Sequence, residues 1–338
     1  MTPSKTLPRT TRLRRLSQLF VALSPLLLAA CSTVAPTVTQ DLTLPRVQLR
    51  GHWLHAEAHG PANAPVLIVL HGGPGADYRY LLGLQALADR YRVVFYDQLG
   101  SGLSERVPAE QITVQSFIDD LDAVVAHFGR QRPVHLLGHS WGAMLASAYA
   151  GAHPDKIASL VLAEPGFLDQ ASLAGLQQRG AWPGWRQVAG VSAAWLGQWL
   201  VRGEGDAYAR DDWFVQQMVA LAQPATALCE GRLPPLQGWR GGSPAFQATL
   251  GRMMSDKAYA SSLDFSRGLA QLQAPVLFLR GSCNEAQGEA HQRRMMALFP
   301  PASQARLQRI DGAGHFMFND QPAASLGAVR QFLDARSG

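Results

Sequence analysis

A serine framed by two glycines behind an apolar run, Val134 to Gly142 (VHLLGHSWG), is the stretch best suited to carry chemistry. Gly138-His139-Ser140-Trp141-Gly142 fits G-x-S-x-G. A strand-like run precedes it and a helix-forming run, Ala143 to Ala152, follows, which is the context of a nucleophile elbow. A serine on such a turn sits in strained backbone, and neighbours without a Cβ permit the tight approach. Its hydroxyl then stands above the sheet with a helix N-terminus beneath it, where developing negative charge is favoured. Alone, the pattern fits an ordinary glycine-rich strand–helix connection equally well, so its meaning depends on the rest of the chain.

Two further groups complete the chemistry. His71-Gly72-Gly73-Pro74-Gly75 directly follows the apolar run Val66 to Leu70. A loop there can aim the Gly73 N–H at a substrate carbonyl oxygen, with the N–H of Trp141 as second donor. Loss of one such donor costs about 3–4 kcal/mol of barrier. No Lys-Ser or Lys-Thr follows, which excludes a phosphate-binding P-loop. Near the C-terminus, His315 lies in a glycine-rich turn, Asp311 to Phe316, and is the candidate general base. His139 is too close to Ser140 in the chain to turn back onto its hydroxyl, and His71 belongs to the oxyanion loop. His127, His135, His153 and His291 read as packing or surface residues. His52, His55 and His59 lack the carboxylate or cysteine partners of a metal site, so none is expected.

These groups need a frame that brings distant loops to one edge. Val47 to Arg50 and Trp53 to Ala58 predict a leading hairpin. Val66–Leu70, Val93–Tyr96, Val134–Leu137, Ile157–Leu162, Val276–Leu279 and Ala305–Ile310 predict strands. Helical runs at 81–90, 114–128 and 323–335 fall between or after them. Apolar strands alternating with helices imply an α/β fold with a mainly parallel sheet flanked by helices. Residues 167–270 break the alternation and hold six of the eight tryptophans, Trp182, Trp185, Trp195, Trp199, Trp213 and Trp239. They predict a helical cap in which most tryptophans pack the insertion and a minority line a pocket. The core is then 46–166 with 271–338.

HGGPG, YDQLGSGLSE (Tyr96 to Glu105), GHSWG and GAGHF, in this order, resemble α/β-hydrolases of the proline iminopeptidase-like group. The resemblance spans roughly residues 46–338 and implies the α/β-hydrolase fold and serine hydrolysis without a cofactor. It disfavours the haloalkane dehalogenase and epoxide hydrolase relatives, which carry Asp where Ser140 stands. The family commonly places its acid three residues after Gly281, and here that residue is Asn284. In the serine-protease triad an Asp-to-Asn change costs about 10⁴ in rate. Two carboxylates can stand in: Glu164, at the tip of the strand after the nucleophile helix, and Glu285. Some α/β-hydrolases place their acid at the Glu164 position, and Glu164 is preferred, with Asn284 as a polar neighbour. Pro165 predicts an extended backbone at Glu164.

Residues 1–30 read as a signal segment, with a basic stretch (Lys5, Arg9, Arg12, Arg14, Arg15) before an apolar run from Leu19 to Ala30. Leu28-Ala29-Ala30-Cys31 resembles a bacterial lipobox, which implies lipidation of Cys31, and Ser32 implies the outer membrane facing the periplasm. Residues 31–45 read as a tether. The net charge is +5, but the signal holds five basic and no acidic residues, so the remainder is close to neutral. Nucleic acid is not an expected partner, and membrane contact is expected only through the anchor. Cys229 and Cys283 read as two buried free thiols, with a disulfide as the alternative an oxidising compartment would permit.

The expected function is hydrolysis of an ester or amide through an acyl-enzyme, on a small-molecule or short-peptide substrate. A proline-releasing aminopeptidase and a carboxylesterase or lactonase both fit. A binding lipoprotein on an inactive hydrolase scaffold is the alternative from another class, suggested by Asn284. An aminopeptidase needs carboxylates for the substrate amine; the insertion offers Glu204, Asp206, Asp211, Asp212, Glu230, Asp256 and Asp264, with nothing to single out a pair.

Overall fold

A computed structural model describes residues 33–335, apart from 180–184, 204 and 222. The signal segment, Cys31, Trp182 and Glu204 therefore lie outside the described residues. The leading hairpin pairs β1 (Arg46–Leu49) with β2 (His52–His59) through Arg50 and Gly51, both at positive φ, the geometry a two-residue primed turn requires. The other strands are β3 (Val66–Leu70), β4 (Arg92–Tyr96), β5 (Val134–His139), β6 (Ile157–Ala163), β7 (Val276–Gly281) and β8 (Arg306–Ile310). The sheet order is β1-β2-β4-β3-β5-β6-β7-β8, and β4 through β8 run parallel.

Strand periodicity divides each apolar run between two cores. Val66, Ile68 and Leu70 face one side with Leu136, Leu160 and Val276, whereas Leu67 and Val69 face the other with Leu137, Val161 and Leu277. Both faces are covered, so the strands read as continuous apolar runs. After β3 the chain builds β4 on one side, then crosses back to place β5 on the other. The crevice beyond the C-terminal ends of β3 and β5 is thus a topological switch point, where ligands bind in open α/β sheets.

Helices α1 (Val114–Gly129) and α2 (Trp141–Ala152) flank β5, and α1 opens on a capping box between Thr113 and Ser116. The helical run expected over 81–90 is a 3₁₀ helix, Arg79–Asp89. Its buried leucines, Leu81, Leu84 and Leu87, are spaced by three, so a three-residue turn stacks them on one face. Between β6 and β7 lie α3 (Gln170–Arg179), α4 (Trp185–Gly197), α5 (Ala209–Leu221), α6 (Ser243–Phe246), a π turn (Gln247–Gly251), α7 (Arg252–Ser255) and α8 (Lys257–Ser262). Then follow α9 (Glu289–Met296), α10 (Met317–Asp320) and α11 (Pro322–Asp334).

Three expectations change here. Cys229 and Cys283 are not free thiols: they form a disulfide, with Cα atoms 5.0 Å apart. The insertion lays residues 224–231 across the loops after β7 and β8, which closes a sequence gap of 54. Residues 33–45 do not hang free. Val38 and Thr37 are buried, the Val38 N–H donates to Leu103 O (2.8 Å), and Arg240 donates to Ala35 O (2.9 Å). The tryptophans also divide differently. Trp213 packs with Ala194 and Val201, and Trp239 meets Tyr78 and His55 edge-on, whereas Trp195 and Trp199 are more than half exposed.

Candidate active site

The sharp turn from β5 into α2 holds Ser140 at φ 55°, ψ −119°. This is sparsely populated backbone that costs about 1–3 kcal/mol and persists only where its surroundings enforce it. The Ser140 N–H donates to Ala163 O on β6 (2.9 Å), and the N–H groups of Ala143 and Met144 donate to Ser140 O. The flanking glycines are steric necessities. A Cβ on Gly138 would stand 2.2 Å from Gly142 O, and one on Gly142 would stand 2.2 Å from Leu70 O. Trp141 opens α2, so its N–H has no intrahelical acceptor.

Residues 72–75 line the same cavity as Ser140. Gln98, from the YDQLG stretch, braces this loop against the elbow. Its side chain donates to His71 O (3.0 Å) and accepts from Trp141 Nε1 (2.8 Å), and its backbone N–H donates to His71 Nε2 (3.0 Å). Asp97 fixes the turn behind, accepting from the N–H groups of Tyr78 (3.1 Å) and Leu103 (2.8 Å) and pairing with His55 (2.9 Å).

His315, after β8, lines the cavity with Ser140, and burial pushes its imidazole down to about 4, so it is neutral at ordinary pH. Its Nδ1 is buried without a hydrogen-bond partner, and Glu164 Oε2 lies 3.8 Å away. Glu164 is fully buried, and burial pushes its carboxyl up to about 8, against the hydrogen bonds that favour the ion. Oε1 accepts from the Gly281 N–H (2.6 Å) and Oε2 from the Asn284 amide. Contrary to the expected extended backbone, Glu164 has φ 51°. Tertiary bonding overrides the pre-proline preference: the Glu164 N–H donates to Leu279 O (3.0 Å) while its carboxylate is drawn to Gly281 and Asn284. Glu285 is exposed on the surface, where its backbone N–H donates to Thr226 O.

His139 is held away from Ser140 by both ring nitrogens. Nδ1 meets Tyr80 Oη (2.7 Å) and Nε2 meets His315 O (2.7 Å). The Gly72 N–H donates to the same Tyr80 oxygen (2.8 Å), leaving the phenol proton for His139 Nδ1. Burial and the nearby His315 hold the His139 imidazole down to about 3, so it stays neutral.

The cavity, about 380 Å³, is walled by apolar insertion residues including Val215, Met218, Leu233, Leu236, Phe246 and Leu250. No described tryptophan lines it. Asp77 and Arg240 are its ionisable lining residues besides the two neutral histidines. Asp77 accepts from the N–H groups of Arg79, Trp239 and Arg240, and burial with the neighbouring Asp97 pushes its carboxyl up to about 7. Arg240 is bound to Asp206 (2.7 Å) and Asp212 (2.6 Å), and Arg106 to Asp212 (2.9 Å). Among the insertion carboxylates, Glu230, Asp256 and Asp264 pair with surface arginines, and Asp211 is exposed.

The alpha/beta hydrolase fold family matches residues 65–322. The chain belongs to that family. As an α/β-hydrolase it has proline iminopeptidases among its relatives: one from Lactobacillus helveticus is 27% identical over 283 residues, covering 80% of this chain and 90% of that protein. It is also 26% identical over 289 residues to a cis-3-alkyl-4-alkyloxetan-2-one decarboxylase from Xanthomonas campestris, covering 81% of this chain and 90% of that protein. The solved proline iminopeptidase of Mycobacterium smegmatis superposes with a TM-score of 0.58 at 23% identity, covering 86% of this chain and 97% of that one. The chain is a hydrolytic enzyme of this fold.

Several contributors to this α/β-hydrolase site escaped the sequence. Gln98 lies inside a motif that was recognised only as a family marker. Tyr80 carries no signal at all, because its role depends on a hydroxyl reaching a loop eight residues back and a histidine 59 residues ahead.

Proposed function

We propose that this hydrolase cleaves a carboxylic ester or lactone with an apolar acyl group, using Ser140 as nucleophile, His315 as general base and Glu164 as the acid. The observation that carries the reading is the cavity at Ser140 and His315, walled by apolar side chains and open to no described insertion carboxylate. Asp206 and Asp212 are committed to Arg240 and Arg106 and cannot receive a substrate amine. The Xanthomonas relative is named for an alkyl-substituted oxetan-2-one, itself an apolar lactone, which fits such a cavity.

In the proposed reaction His315 Nε2 takes the Ser140 proton as Oγ attacks the carbonyl carbon, and the Gly73 and Trp141 N–H groups receive the oxyanion. The imidazolium then protonates the leaving alkoxide. Water, deprotonated by His315, releases the acid from the acyl-enzyme and restores Ser140. Glu164 holds the Nδ1–H tautomer and offsets the imidazolium charge. The 3.8 Å separation is compatible with that role, because catalytic contacts in unliganded sites are often long and tighten on binding. A fluorophosphonate probe should label the parent and not Ser140→Ala. Turnover of p-nitrophenyl butyrate well above that of prolyl-naphthylamide supports the ester reading, and the reverse order rejects it.

Release of N-terminal proline is the second reading. Asp77, a carboxylate lining the cavity, is the observation that favours it. We further propose, from the sequence of residues 1–31, that the mature chain is anchored by lipid on Cys31 in the cell envelope, at the periplasmic side of the outer membrane. Mass measurement of its N-terminal peptide tests this.

A further inference from the structure

Among the described residues of the insertion, five of the six exposed large apolar side chains gather along one helix, Met254 on α7 being the sixth. Val188, Trp195, Leu196, Trp199 and Leu200 are 52%, 53%, 52%, 59% and 44% exposed. They lie on α4 and the single 3₁₀ turn that continues it, Gln198–Leu200, spaced to form one stripe. Soluble surfaces rarely leave such a cluster uncovered. Tryptophan beside leucine, bordered by arginine, is the composition of a helix that lies in a bilayer interface. Arg210 stands 5.4 Å over the Trp199 ring and Arg202 is exposed next to the stripe, with Asp211 the exposed carboxylate nearby.

The start of the described chain indicates what covers this stripe. Thr33 forms a parallel bridge with Arg202, and Val34 packs against the cluster of Ala194, Val201 and Trp213 beneath α4. Cys31 is two residues before Thr33, and Leu200 two residues before Arg202. Two extended residues span at most about 7 Å. A lipid on Cys31 would therefore enter the bilayer beside the stripe, not at a distant pole. The groove under Trp195 and Trp199 also reaches Val215 and Phe246, which line the catalytic cavity as well.

We propose that the Trp195–Leu200 face of the insertion is a membrane-docking surface, seated in the interface of an anionic bilayer, and that the enzyme meets lipid-dissolved esters there. The orientation rests on the anchor reading of Cys31. The taste for esters rests on the proposed function.

The test uses the full chain reconstituted in phosphatidylcholine–phosphatidylglycerol vesicles whose acyl chains are brominated. Tryptophan fluorescence should be quenched, and Trp195→Phe with Trp199→Phe should remove at least half of that quenching. No quenching in the parent, or equal quenching in the double variant, overturns the proposal. In a second arm, Leu196→Glu with Leu200→Glu should lower turnover of a vesicle-dissolved p-nitrophenyl palmitate tenfold or more, with soluble p-nitrophenyl butyrate changed less than twofold. Equal effects on both esters overturn it. So does a dimer in detergent that the same two substitutions dissociate, because the stripe would then be covered by a second copy. Unmodified Cys31 in the N-terminal peptide rejects the anchor, and absence of turnover with either ester rejects the ester reading. Quenching still decides the docking face in both cases.

Discussion

Oε2 of Glu164 stands 3.8 Å from Nδ1 of His315, about 1 Å beyond a charge-assisted hydrogen bond, while Asn284 donates to the same oxygen. The amide at the family's usual acid position thus positions a carboxylate that comes from a different strand.

Removing that carboxylate should be costly. Glu164→Gln is expected to lower kcat/KM about 10³- to 10⁴-fold, in line with loss of the acid from a serine triad. Glu285→Gln, on the surface, should stay within twofold. Steady-state kinetics with one ester checks both, and the opposite ranking would transfer the role to Glu285.

The pH profile follows from two shifts. The working form needs His315 neutral and Glu164 ionised, so both groups must be deprotonated. With His315 lowered to about 4 and Glu164 raised to about 8, Glu164 sets the limb, and kcat/KM should rise with pH through about 8. Asn284→Leu removes a donor to the ionised form and Asn284→Asp adds a competing carboxylate, so both should move the limb to higher pH. A limb that stays in place in both variants would remove Asn284 from the site. For stability, the raised folded value means Glu164's contribution is full below its ordinary value of 4.5 and is lost as pH rises through about 8.

Ser140 carries backbone strain that glycine would not. Ser140→Gly should abolish ester turnover yet raise stability by about 1 kcal/mol, read from denaturant midpoints. Lower stability than the parent would show that the elbow is unstrained.

Tyr80→Phe leaves the Gly72 N–H and His139 Nδ1 without their shared partner. A buried group stripped of its hydrogen bond costs about 1–3 kcal/mol. A comparable fall in stability is expected, and with it a drop in kcat larger than any rise in KM, because the loop that shifts is the one carrying Gly73.

Cys229→Ala with Cys283→Ala opens a loop of 54 residues, which chain-entropy reasoning values at about 4 kcal/mol. Dithiothreitol should destabilise the parent by a similar amount and leave the double variant unchanged in thermal melts. Equal response of both proteins would mean that the two sulfurs do not bond in solution.

What the sequence revealed was local or strictly patterned. Uninterrupted apolar runs declared buried parallel strands, and G-x-S-x-G declared its elbow because two close backbone approaches admit no other residue. His315 was legible from its glycine-rich turn and its place after the last strand. Glu164 was legible as a strand-tip carboxylate, but its positive φ was not, since that depends on bonds to Leu279, Gly281 and Asn284. The disulfide stood only as an alternative to two free thiols, and the docking of Val38 was invisible, for the same reason: each joins segments far apart in the chain. The tryptophans were legible in part: Trp213 packs inside the insertion and Trp195 and Trp199 line a groove, but composition cannot say which side of a helix meets the cavity at Ser140.

The strap formed by residues 224–231 has a consequence for how substrate reaches Ser140. Beyond its disulfide, Ala227 O accepts from the His315 N–H and Thr226 O from the Glu285 N–H, both at 2.8 Å. Further along, the Gly242 N–H is bonded to Gly75 O, and Asp212 accepts from Ser243 while gripping Arg106 of the core. An insertion fastened at its middle and again near α6 cannot lift away as a single hinged door. The ceiling over the nucleophile is thereby riveted to the core at more than one point along its span.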